Sequence, residues 1–183
     1  MKHKPSVTLV YTGEGKGKTS AALGLMVRAL GAGSRVAFVQ FIKVWDVSEH
    51  QFLRDIMPLY EDLLDVYRGG LGFYDAGEMS ANASEAEHRT QAKKTYDFAL
   101  KAVTSGDYDL VICDEINNAA HDGLLLPSSL EKLIDTRHEK TSLCLTGRGF
   151  PKKLLGKVDI ATNMTKLKHH FDDGYVANKG IDY

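Results

Sequence analysis

Apolar and polar positions along this chain fall into two alternating kinds of run. Short β-branched stretches predict strands: SVTLVY (6–11), RVAFVQF (35–41), LDVYR (64–68), DLVICDE (109–115) and TSLCLTG (141–147). Several are apolar at consecutive positions, as strands covered on both faces must be. Between them lie longer stretches of helical period. One runs from Lys18 to about Leu30, with Gly31 and Gly33 as stop signals. A second covers about Ser48–Asp55 and is broken by Pro58. A third covers about Glu85–Thr104, where Ala92, Tyr96, Ala99 and Val103 share one stripe. A fourth starts at Pro127 and turns Leu130, Leu133 and Ile134 inward.

This alternation predicts an α/β fold of three layers, a mostly parallel sheet between helices, with ligands bound at the carboxyl ends of the strands. The stretch from Val44 to Ser84 is the least regular, rich in glycine and aromatics, and is expected to carry mobile site loops. Composition adds exclusions more than content. At 183 residues the chain is expected to form one domain, 1–183, with a substantial core. Its 23 basic and 24 acidic side chains leave a net charge of −1, so no nucleic-acid partner is expected. No apolar run approaches the roughly 18 residues of a membrane span, and no cleavage site follows the amino terminus. A soluble cytoplasmic protein without a membrane partner is expected. Cys113 and Cys144 lie inside apolar runs and read as core thiols of a reducing compartment.

The chemistry begins at YTGEGKGKTS, Tyr11–Ser20. The common phosphate loop is G-x-x-x-x-G-K-[ST] between a strand and a helix, and that context is present here. Counting back from Lys18, Thr12 occupies the first glycine position and Gly13 follows one later. Gly13, Gly15 and Gly17 free the backbone so that successive N–H groups, with the helix amino terminus, can face one anion. Glu14 and Ser20 complete the stretch. Lys16 and Lys18 bring positive charge, and Thr19 offers a hydroxyl to Mg²⁺. A second element, DYDLVICDE, ends an apolar strand in Asp114 and Glu115, the hard oxygen ligands a metal on a polyphosphate needs. One of the pair is expected to face the metal, because successive side chains on a strand diverge.

With these elements the sequence resembles the P-loop family of corrinoid adenosyltransferases. The likeness is carried by YTGEGKGKTSAALGLMVRALGAG (11–33), VAFVQFIK (36–43), DLVICDEIN (109–117), LTGRG (145–149) and the tail KHHFDDGYVANKGIDY (168–183). It implies a P-loop NTPase-like, RecA-like sheet. It also implies ATP as cosubstrate with Mg²⁺ or Mn²⁺, and a reduced corrinoid, cobalamin or cobinamide, as the acceptor. In such enzymes a cobalt(I) corrin attacks the 5′-carbon of ATP and the whole triphosphate departs, so no general base is needed. A homodimer and an electron-donating flavoprotein are implied on the same ground.

The resemblance makes Lys18, Thr19 and Glu115 catalytic, with Thr19, Asp114 and Glu115 at the metal. Arg148, at the end of a strand, is placed to pair with phosphate oxygens. Asn117 is assigned to the carboxylates or the corrin, and Lys168 to the nucleotide or the corrin rim. The adjacent His169 and His170 are expected to point apart. Family members raise the cobalt(II) potential by wedging aromatics beneath the corrin in a G-F-x-W segment; for one electron ~59 mV corresponds to a factor of ten. Here Gly72, Phe73 and Tyr74 supply that segment, but Asp75 stands at the tryptophan position. Val44 replaces a usual glycine, and Asn118 a frequent tyrosine. Many members also carry an amino-terminal helix over the neighbouring site; here the first strand starts at residue 6, and a more open or differently lidded site is expected. Two other readings stand beside the transferase: an ATP-dependent corrinoid sensor or carrier, and a P-loop small-molecule kinase.

Overall fold

The computed structural model describes residues 3–43, 47–72 and 83–182. Six strands form one sheet in the order β3-β2-β4-β5-β1-β6, and every neighbouring pair is parallel. They are β1 (Thr8–Thr12), β2 (Val36–Gln40), β3 (Leu64–Arg68), β4 (Leu110–Asp114), β5 (Ser142–Thr146) and β6 (Ile160–Asn163). The helices are α1 (Lys18–Gly31), α2 (Ser48–Ile56), α3 (Glu85–Ser105), α4 (Ile116–His121) and α5 (Pro127–Thr136).

Strand alternation divides the core into two layers. Val36, Phe38, Leu64, Leu110, Ile112 and Cys144 pack with Ala22, Met26 and Leu30 of α1 and Leu53 of α2. Ala37, Val39, Val111, Cys113, Leu143 and Leu145 pack on the other face with α3, α4 and α5. Both faces of β2 and β4 are therefore dry, which explains their unbroken apolar runs. Full burial of a side chain such as Phe38 or Leu143 stabilises by roughly 1.5–3 kcal/mol. The stripe expected on α3 is the buried one: Ala92, Tyr96, Ala99 and Val103 all face the sheet. Ser84 caps that helix by accepting from the Glu87 N–H, and Gly106 closes it in the left-handed conformation. Both cysteines are buried, free thiols.

Two elements carry no sequence signal. β6 is four residues long and exposed throughout, so its IATN sequence needs no apolar alternation. α4 follows β4 after a single residue, and its INNAAH sequence is too short and polar to read as helical. Elsewhere the ends move by one or two residues: the strand expected at 109–115 stops at Asp114, and α3 continues to Ser105. The irregular 44–84 region contains α2, a 3-10 turn over Met57–Leu59 and β3 among its described residues. No helix among the described residues is long and apolar enough to cross a membrane.

The topology puts four strand ends beside one another. The loop after β1 enters α1, β4 ends at Asp114, β5 ends at Thr146 and β2 ends at Gln40. Gln40 lies opposite Asp114 in the sheet register, and Tyr11 opposite Thr146.

Candidate active site

Asp114 sits at the centre of these strand ends, fully buried. Its carboxylate accepts three side-chain hydrogen bonds. Thr146 donates to Oδ1 at 2.7 Å, while Gln40 Nε2 at 3.0 Å and Thr19 Oγ1 at 3.3 Å converge on Oδ2. The phosphate-loop threonine and the strand carboxylate are thus in direct contact.

Glu115 departs from the alternation argument. The strand ends before it, and it is the one described non-glycine residue in the left-handed region, with φ 62°. Thr146 Oγ1 accepts its N–H at 2.9 Å, and it caps the start of α4. The turned backbone means that Glu115 need not diverge from Asp114, whose charge is felt at the Glu115 carboxyl. Its Oε2 is buried with no hydrogen-bond partner among the described residues. Burial, followed by the Asp114 charge, pushes the Glu115 carboxyl up to about 7, against the pull of Lys43 and Lys18.

Lys18 opens α1, and its ammonium donates to the carbonyls of Gly13 and Gly15, each at 2.7 Å. Burial and then Arg148 lower its pKa, against Glu14, Glu115 and Asp114. The loop glycines do more than was read from the sequence. Gly15 N–H donates to Met164 O at 2.7 Å, so this amide is committed to the segment after β6 rather than to an anion. A Cβ at Gly13 would lie 2.5 Å from Met164 O, and one at Gly15 2.7 Å from the same atom. Lys16 pairs with Asp182 at 3.2 Å. The Thr12 hydroxyl accepts from Phe150 N–H at 3.4 Å, and Ser20 is exposed in the first turn of α1.

Arg148 does reach the loop, with Nε 3.3 Å from Glu14 Oε2, while Asn118 Oδ1 accepts its N–H at 2.8 Å. Asn117 is fully buried and donates to Gly147 O at 3.3 Å, bracing the turn after β5. The Lys168 side chain is 83% exposed, and its ammonium lies 3.7 Å from Asp173. The rings of His169 and His170 do not point apart but lie with centroids 4.7 Å apart. Phe73, Tyr74, Asp75 and Val44 fall outside the described residues.

Four residues beside the carboxylates were missed from the sequence: Gln40, Lys43, Glu49 and His50. Lys43 donates to Glu49 at 2.7 Å, both side chains mostly buried. Burial lowers the Lys43 pKa, but Asp114, Glu115 and Glu49 together outweigh it and hold the ammonium above its usual value. The available signal was Gln40 itself, a polar side chain in a run whose neighbours are all core.

The matching family model is ATP:corrinoid adenosyltransferase BtuR/CobO/CobP, and it covers residues 4–183. The chain belongs to this adenosyltransferase family. The corrinoid adenosyltransferase of Escherichia coli strain K12 is 31% identical over 97% of this chain and 85% of its own length. That of Pseudomonas aeruginosa is 31% identical over 97% and 83%. Corrinoid adenosyltransferase CobA of Salmonella typhimurium is 30% identical over 97% and 85%. The adenosyltransferase is thus a transferase on a P-loop-like parallel sheet, and its likeness spans the whole strand-end cluster.

The metal implied by the family can be weighed against these residues. No group of three His, Cys, Asp or Glu side chains surrounds a metal position among the described residues. Mg²⁺ on a polyphosphate needs only one or two carboxylates, with phosphate and water completing its shell. The Oε2 of Glu115, buried without a partner among the described residues and under the charge of Asp114, fits that need.

Proposed function

We propose that this adenosyltransferase uses ATP and a divalent cation to adenosylate the cobalt(I) of a reduced corrinoid, with inorganic triphosphate as the leaving group. The observation that most supports this reading is the meeting of Thr19 with Asp114, together with a buried oxygen of the next residue, Glu115, that has no hydrogen-bond partner among the described residues. A phosphate loop after β1 and paired acids after β4, at the same edge of the sheet with β5 between them, are what a metal–triphosphate requires.

In this reading Thr19, Glu115 and Asp114 hold the cation, and the cation supplies charge stabilisation to the departing triphosphate. Lys18 exchanges its two loop carbonyls for phosphate oxygens, and Arg148 leaves Glu14 to do the same at the loop's outer side. Both are charge-assisted contacts that strengthen as negative charge gathers on the leaving group. None of these residues moves a proton, since the nucleophile carries none. The 5′-carbon is the point of attack, so the loop must hold the triphosphate with the ribose toward the corrin. A homodimer and an electron-donating flavoprotein belong to the same proposal and rest on family likeness. Phe73 and Tyr74 are the residues proposed to exclude the corrin's lower ligand.

The test mixes the protein anaerobically with MgATP and chemically reduced cobalamin, following the visible spectrum and assaying triphosphate. A cobalt–carbon spectrum with equimolar triphosphate is expected. ADP instead would identify a kinase, and neither product would leave a corrinoid sensor or carrier.

A further inference from the structure

A buried polar path joins α2 to the phosphate loop. It begins at Val47, whose N–H donates to His50 Nδ1 at 3.4 Å. That bond places the ring proton on Nε2, which then donates to Gln40 Oε1 at 2.6 Å. The Gln40 amide is thereby oriented, its Nε2 donating to Asp114 Oδ2 at 3.0 Å. The same oxygen accepts from Thr19 in the loop. His50 is 1% exposed, and Gln40 and Asp114 are 0% exposed. Glu49, next to His50, reaches Lys43 just beyond the end of β2. The first turn of α2 is therefore tied to the end of β2 twice.

Simple stitching of a helix to a sheet explains this poorly. Gln40 points into the layer that holds Val36 and Phe38, where an apolar side chain would pack without needing partners. A buried amide is tolerable only when both its ends are bonded, and here one end is used on Asp114. We propose that Gln40 and His50 are positioning residues for Asp114. They fix its Oδ2 from the neighbouring strand β2, so that the carboxylate and the Thr19 hydroxyl keep one geometry toward a cation. This inference rests on the reading that Thr19 and the acidic pair take the cation of MgATP.

The test is calorimetric titration of the full chain with ATP, once in EDTA and once in excess Mg²⁺. The ratio of the two affinities measures metal coupling without any turnover. Gln40→Leu and His50→Leu should each reduce that ratio about tenfold, the lower end of what loss of a ligand's supporting hydrogen bond costs in metal affinity. Their metal-free ATP affinity should stay within about twofold. His50→Gln, which retains a donor toward Gln40, should recover most of the ratio. If Gln40→Leu does not fold, the comparison of His50→Leu with His50→Gln decides. An unchanged ratio in folded variants overturns the proposal, as does an equal loss in both titrations, which would mark a general packing role. A wild-type ratio of one would instead bring down the MgATP reading itself, and this inference with it.

Discussion

Replacing Glu115 by glutamine removes a buried negative charge at nearly constant shape, and the structure fixes the sign and size of the result. The carboxyl is pushed from 4.5 up to about 7 by burial and by Asp114. The folded protein therefore holds this proton more tightly than the unfolded chain. Its contribution is fully present below pH 4.5 and is lost as the pH rises toward 7, where the folded protein must bury a charge. At ~1.4 kcal/mol per pH unit, the gap between 4.5 and about 7 corresponds to about 3 kcal/mol, an upper bound because buried sites relax. Urea unfolding of wild type and Glu115→Gln at pH 4.5 and pH 8, without nucleotide or metal, reads this directly. The variants should match at pH 4.5, and Glu115→Gln should be the more stable by about 1–3 kcal/mol at pH 8. Taking the difference between the two proteins cancels the other carboxylates, several of which titrate in the opposite sense, such as Glu49. Mg²⁺ with ATP should erase the gain, since a cation compensates the charge in wild type only. A difference that does not change with pH would refute the electrostatic account of this carboxylate.

Three further outcomes are expected. Lys18→Met removes an ammonium that reaches the loop centre, and ATP affinity measured by calorimetry should fall by about 100-fold, with the melting temperature nearly unchanged. Gly15→Ala sets a methyl 2.7 Å from a backbone carbonyl and should lower stability by roughly 1–3 kcal/mol in thermal unfolding, while exposing the segment after Asn163 to proteolysis. Lys43→Met withdraws the cation that faces Asp114, Glu115 and Glu49. Urea unfolding should show a loss of about 3 kcal/mol at pH 8 and a smaller loss at pH 5, where Glu115 is protonated and one of the three charges is gone.

Much of this fold is legible in the chain because buried parallel strands need consecutive apolar residues and α3 needs a stripe. Phe38 and Ile112, or Ala92 and Tyr96, announce themselves that way. β6 does not, because an exposed edge strand of four residues obeys no burial pattern. The phosphate loop and the two acids were readable as motifs, but their conformations were not. Nothing in the letters DE says that the strand stops between them and that Glu115 turns left-handed. Gln40 and His50 are ten residues apart, joined through a helix whose start lies beyond the end of β2; only folding reveals them as neighbours. Lys168 was assigned by its place in a family motif, and its exposed side chain beside Asp173 carries no further sign of that role.

The shifted glycine of the phosphate loop follows from what lies beside it. Residues 163–165 run so close to positions 13 and 15 that side chains there would occupy the same space as Asn163 and the Met164 carbonyl. A conventional loop transplanted here, with glycine moved to position 12 and bulkier residues after it, would still present amides and a lysine. It would also evict the carboxyl-terminal stretch from the carboxyl edge of the sheet, so in this scaffold the loop and the tail must be redesigned as one unit.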